Sequence, residues 1–227
     1  MTTEAIQPTS VDFHFDLMCP YAYQTSLWIR EVRAQLGIEV NWKFFSLEEV
    51  NHVEGKKHPW ERDWSYGWSM MRVGAYLRRT NPDWNDQWYQ LAGEALHVQA
   101  RKPHRLEVAE ALLEEMGLDP SWVQAAIDDP STSAEVKAEH DRVLELGGWG
   151  VPTLVFGDQA LFGPVLIKPP TGHAAVRLWN SVVAWCEFPN LYELQRPKRP
   201  EDLHAIATEF EPYFQARDWE SIQKDTP

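Results

Sequence analysis

Between Val11 and Ala22 the backbone has few choices. The first part of this stretch is apolar and rich in aromatics, and it reads as a strand over residues 11–16. Cys19 and Pro20 end it, and a helical pattern begins at once. Pro20 suits the first helical position, because its missing N–H would have had no partner inside the helix. The Cys19 sulfur is therefore expected at a helix N-terminus. Unpaired N–H groups and the positive end of the helix dipole favour a thiolate there. Cysteines so placed titrate below the free-thiol value of about 8.5. Two readings follow: a nucleophilic cysteine, or an inert thiol at a strand end.

The pattern after Cys19 predicts a helix over 20–36, with Ile29, Val32 and Leu36 facing inward and Gln24, Glu31 and Gln35 outward. Gly37 is the expected terminating residue. Ile38, Val40, Trp42 and Phe44 alternate, which predicts a second strand over 38–45. A strand, a helix and a strand in this order make a parallel pair joined by a crossover. From 58 to 146 strand patterns disappear. Helices are expected over 59–80, 84–101 and 104–116, with a short one after Ser121. A last one starts at Thr132, with Glu135 in capping-box spacing, and stops at Gly147 and Gly148. A strand over 151–156, a turn at Gly157 and Asp158, and a returning strand over 159–162 follow. Thr171 is the expected cap of a helix with an apolar stripe of Val176, Trp179, Val182, Val183 and Cys186. The final amphipathic pattern carries Leu203, Ile206, Phe210 and Phe214.

Composition narrows the function. The 34 acidic residues outnumber the 21 lysines and arginines, for a net charge of −13, which argues against nucleic acid as a partner. Twelve tryptophans keep open an aromatic-lined pocket for a flat organic ligand. Two cysteines far apart in sequence do not make a disulfide framework, and the eight histidines show no metal-ligand spacing. The glycine-rich run from Gly147 to Gly150 lacks the lysine of a phosphate-binding loop. Residues 1–10 read as a polar leader without the basic start or apolar run of a signal peptide, and no stretch reads as a membrane span. The expected location is the cytoplasm.

Several short pieces in fixed order give a resemblance. They are Asp12 to Asp16 leading to Cys19 and Pro20, then Thr25 with Ser26, Ser46 with Leu47, Trp68, Arg72 with Val73, and His97. Phe162 to Leu166, Lys168, Leu178 with Trp179, and Glu193 with Leu194 complete the set. On these the chain resembles the DsbA-like branch of the thioredoxin superfamily, and within it the actinobacterial mycothiol-dependent nitroreductases. The resemblance implies an α/β thioredoxin-like fold with a central all-helical insertion. The implied division is 11–57 and 148–195 for the two parts of the thioredoxin fold, 58–147 for the insertion, and 196–227 for a C-terminal extension.

The family motif is Cys-Pro-aromatic-Cys, but here it runs Cys19, Pro20, Tyr21, Ala22, so the resolving cysteine is missing. Cys186, on an apolar stripe, is expected to be a buried structural thiol. By resemblance Pro152 is the cis-proline that exposes the Val151 backbone beside Cys19, against a plain trans-proline opening a strand. Tyr21 is read at the pocket mouth or in packing. Trp68 and His97 are read as ligand-holding or proton-passing groups of the insertion, or as core. Lys168 is read as a contact for a ligand carboxylate or as a solvated side chain, and His14 as a packed histidine. The resemblance implies a thiol-dependent oxidoreductase with Cys19 as nucleophile. Its co-substrate is a low-molecular-weight thiol, mycothiol or glutathione, its substrate an organic electrophile, and no cofactor is tightly bound. The absent resolving cysteine keeps two alternatives: a kappa-like thiol transferase or isomerase, and an idle small-molecule binding protein. The sequence leaves room for a homodimer.

Overall fold

The computed structural model describes residues 8–217, so the beginning of the expected leader lies outside the described residues. Strand β1 (Ser10–Phe15) runs into helix α1 (Pro20–Leu36), which starts and stops where Pro20 and Gly37 predict. Gly37 takes the left-handed conformation at φ 68°, and its N–H reaches the Arg33 carbonyl. Only a residue without Cβ adopts that turn cheaply. Strand β2 (Glu39–Phe44) pairs parallel to β1, with Ser10 opposite Glu39 and Phe15 opposite Phe44.

Six helices separate β2 from β3 in the chain. They are α2 (Leu47–Val50), α3 (Tyr66–Thr80), α4 (Asp83–His97), α5 (Leu106–Glu115), α6 (Trp122–Asp128) and α7 (Pro130–Glu145). The hairpin of β3 (Thr153–Phe156) and β4 (Gln159–Phe162) then completes a sheet of order β2-β1-β3-β4, with β3 antiparallel to β1. Helix α8 (Gly172–Trp185) packs on α1, where the buried Trp28 donates its Nε1–H to the Ala175 carbonyl at 3.0 Å. On the other side Phe15 stacks on Tyr89 of α4 at 3.7 Å, with Trp42 edge-on to both rings. Helices α9 (Pro200–Glu209) and α10 (Glu211–Ala216) end the described chain. Among the described residues no helix is long and apolar enough to cross a membrane.

Several expectations are corrected. The helix expected over 59–80 is a single 3-10 turn at Pro59–Glu61 followed by α3 from Tyr66. Between them Arg62 and the Ser65 hydroxyl bond to the Glu48 carboxylate, and Trp64 donates to the His104 carbonyl, so tertiary partners outcompete helical ones. Helix α4 stops at His97, and Ala100 beyond it sits at φ 54°. Helix α5 begins at Leu106, past the buried His104. The cap of α7 is Asp129, which accepts from Ser131 N, with Pro130 as first residue. Thr132 instead lies inside the helix, accepting Arg72 Nε–H at 2.9 Å. Thr171 precedes α8 but makes no side-chain cap bond. Leu36 is exposed while Gln24 is buried, reversing their assigned faces, and Leu203 and Phe214 of the last pattern are exposed.

Candidate active site

Cys19 sits where β1 hands over to α1 and is the N-cap of that helix. Its backbone N–H bonds to the Asp16 carbonyl at 3.0 Å, which closes the turn. Its Sγ accepts the Ala22 N–H at 3.4 Å and lies 3.8 Å from the Val151 carbonyl oxygen, a distance that suits a thiol donating to it. The Val151–Pro152 peptide is cis, as is Gly163–Pro164. The Thr25 hydroxyl donates to the Pro164 carbonyl at 2.7 Å, so two pieces of the sequence resemblance meet.

The expected ionised thiol is not what this arrangement gives. Cys19 is only 6% exposed. Burial pushes its thiol up to about 12, and the nearby Asp16 carboxylate adds to the rise. The amides of Ala22 and Tyr21 pull the other way but do not prevail. The helix N-terminus supplies the donors that sequence reading anticipated. Removal from water costs a thiolate more than they return.

Asp16, which sequence reading left without a role, is part of this centre. One carboxylate oxygen accepts Met18 N–H at 2.9 Å and the other Leu47 N–H at 2.8 Å. It is buried, and desolvation raises it to about 6. Gly67, in the first turn of α3, is small for the same reason: a Cβ there would stand 2.7 Å from the Asp16 oxygen. The available signal was an acid embedded in an apolar strand end.

His97, from the end of α4, reaches the same turn. Its Nε2–H donates to the Leu17 carbonyl at 3.0 Å, which leaves Nδ1 as the acceptor nitrogen, and among the described residues that atom has no partner. The ring lies between Tyr23 at 5.0 Å and Tyr213 at 5.4 Å. Burial lowers its pKa to about 4, so it is a neutral imidazole.

The other candidates divide. Tyr21 is half-buried in the first turn of α1, with Phe210 edge-on at 4.8 Å. Trp68 is buried against Trp60 at 5.3 Å and donates to the Ser133 hydroxyl at 3.0 Å, which are contacts of the helical block. Lys168 has an exposed side chain at φ 52°, and its backbone N–H reaches Gln24 Oε1 at 3.2 Å. His14 is packed, its Nδ1 3.4 Å from the Phe44 carbonyl oxygen. Cys186, expected to be buried, is instead half-exposed, because it caps the end of α8 beyond the helix's packed turns, and both cysteines are free thiols.

Comparison with known proteins identifies the fold and the family. A solved 2-hydroxychromene-2-carboxylate isomerase superposes with a TM-score of 0.58 at 16% identity, over 78% of this chain and 95% of its own. The cytosolic disulfide reductase DsbM of Pseudomonas aeruginosa gives 0.53 at 15%, over 78% and 97%. The oxidoreductase DsbA of Xylella fastidiosa gives 0.51 at 15%, over 80% and 91%. At such identities the likeness shows the fold, which is the DsbA-like thioredoxin fold. The uncharacterized protein Rv2286c of Mycobacterium tuberculosis is 57% identical over 216 residues, 95% of this chain and 94% of the relative. The profile described as Rv2466c-like, mycothiol-dependent nitroreductase Rv2466c, matches residues 18–196. That span begins at the turn carrying Cys19 and takes in both strands of the hairpin, and the chain belongs to the Rv2466c-like family of mycothiol-dependent nitroreductases.

Proposed function

We propose that this protein is a thiol-dependent oxidoreductase in which Cys19 is the nucleophile and a small thiol of the mycothiol type is the reductant. The substrate class is an organic electrophile of nitroaromatic or quinone-like character. The observation that carries the reading is the position of Cys19 Sγ, capping α1 through Ala22 N–H at 3.4 Å and facing the carbonyl of Val151 just before Pro152. An extended thiol ligand laid along Val151 has its sulfur presented to Cys19. Once deprotonated, Cys19 adds its sulfur to the quinone-like electrophile, forming an S–substrate bond while the substrate takes up a proton. A small thiolate attacks the Cys19 sulfur, the bond to substrate breaks, the electron pair and a second proton leave with the reduced substrate, and a mixed disulfide remains on Cys19. Ala22 stands where a resolving sulfur would be, so a second small thiol attacks the mixed disulfide, frees Cys19 and leaves as the new disulfide. A reducing cytoplasm, which maintains such a thiol pool, is the compartment this reading requires.

A second reading is favoured by the same Ala22: thiol transfer or isomerisation with no net redox change. The two separate by product analysis. Reduction consumes two small thiols as one disulfide for each electron pair delivered, and transfer or isomerisation leaves no disulfide. Cys19→Ser is expected to lower thiol-dependent turnover at least about a hundredfold. Unchanged turnover in that variant would show that Cys19 is dispensable.

A further inference from the structure

The last two helices lie over the place where small-thiol chemistry would occur. Residues 187–199, which lead to them, are all exposed and carry no regular structure. At the end of that tether the chain comes back to the start of α1. Glu209 Oε1 accepts the Gln24 Nε2–H at 3.2 Å. Phe210 is buried and meets the Tyr21 ring edge-on at 4.8 Å. Tyr213 stacks on His97 at 5.4 Å, and Ala216 is wholly buried. Tyr21 and Gln24 belong to the first turns of the helix that Cys19 caps. His97 is bonded to Leu17, two residues before Cys19. Burial raises the Tyr213 phenol to about 12, and Cys19 and Asp16 are near enough to add to the rise. The segment thus packs on α1 and on His97 of α4, the two elements that flank the turn carrying Cys19.

We propose that α9 and α10 form a tethered cover over Cys19 that swings away to admit the small thiol. The proposal rests on the reading of Cys19 as the reacting sulfur. It assigns access to a segment that lies beyond the family-matched residues 18–196. The contacts that hold the cover include the Gln24–Glu209 hydrogen bond, the rings of Phe210 and Tyr213 on Tyr21 and His97, and the burial of Phe210 and Ala216. A segment at the end of an exposed, irregular tether opens locally at less than the cost of global unfolding. Opening would also return the sulfur to water, which removes the largest cause of its raised pKa and leaves the amides of Ala22 and Tyr21 to favour the thiolate. Access and ionisation would then arrive together.

Alkylation by iodoacetamide at fixed pH, read by mass spectrometry, tests the cover without assuming any enzymatic reaction. In the intact protein Cys19 is expected to alkylate more slowly than the half-exposed Cys186. Phe210→Ala should raise the Cys19 rate about tenfold or more, Glu209→Ala should raise it by less, and neither should change the Cys186 rate. Thermal melting checks that the variants are folded. If Phe210→Ala does not fold, Glu209→Ala and hydrogen exchange on the unaltered protein decide, with amides in residues 200–217 expected to exchange ahead of those in β1 and β3. Cys19 alkylating as fast as Cys186 in the intact protein, or an unchanged Cys19 rate in a folded variant, overturns the cover. If the cover behaves as expected while Cys19→Ser still reduces substrate at full rate, the function reading fails and the cover stands.

Discussion

Asp16 and His97 flank the turn that carries Cys19, and burial drives their titrations in opposite directions. Asp16 rises from 3.8 to about 6, so the unfolded chain releases this proton first and stability falls as pH rises through that window. His97 drops from 6.5 to about 4, so the unfolded chain takes up this proton first and stability falls as pH drops through that window. Across the shared range the two slopes oppose each other. Asp16→Asn should therefore gain stability relative to the unaltered protein as pH is raised from about 4 to about 7, by on the order of 2 kcal/mol. His97→Gln should gain as pH is lowered over the same range, by a similar amount of about 2 kcal/mol. Urea unfolding at several pH values measures both, and a pH-independent difference would contradict them. The position of Cys19 was legible because its signals are local, a strand end followed by a proline at a helix start, whereas the cis form at Pro152 was implied only by resemblance. The sequence made neither Asp16 nor the neutral state of His97 legible, because both depend on how much water distant segments exclude.

Helix α4 shows how little room the elements leave one another. A Cβ on Gly93 would stand 2.6 Å from Cδ2 and 2.9 Å from Cε2 of Tyr23, a buried ring of α1. Gly93→Ala must push that ring, which also stacks on His97, and is expected to cost about 1–3 kcal/mol. A thermal melt would show it, and an unchanged midpoint would mean that α4 can move away freely. Elements with punctuation at both ends were readable from sequence, as α1 between Pro20 and Gly37 and the hairpin around Gly157 show. Helix α2 was not, because four residues are too short for a periodic pattern, although Ser46 does cap it through Glu49 N–H at 3.1 Å. The interruption before α3 was hidden for another reason. Trp60, Trp64 and Trp68 keep helical spacing, while the side chains of Arg62 and Ser65 between them are held on the Glu48 carboxylate of α2.

The whole molecule is tied together at the outer edge of its sheet. Strand β2 is an edge strand, and the Glu139 carboxylate of α7 accepts Phe44 N–H from it at 2.8 Å. The same carboxylate takes Lys43 Nζ at 3.2 Å and Arg78 of α3 at 2.8 Å, so one side chain joins the sheet to two helices of the intervening block. Glu139→Ala leaves the edge amide of Phe44 and the Lys43 ammonium short of their acceptor, while Arg78 keeps Glu135, and is expected to cost roughly 2 kcal/mol in urea unfolding. A loss below a few tenths would show that the block is held to the sheet by apolar packing alone. The position of the C-terminal helices belongs to this scale too. The bond between Gln24 and Glu209 spans 185 residues, and no local pattern announces it.

The roofed, protonated sulfur has a chemical consequence of its own. Peroxide attacks thiolates, and the ladder from sulfenic to sulfonic acid is climbed fastest by sulfurs that are ionised and in contact with water. Cys19 at rest is neither, since it is buried and held near 12. A centre with no neighbouring cysteine depends on an outside thiol to trap a sulfenic acid, and burial at rest is expected to slow the formation of that acid.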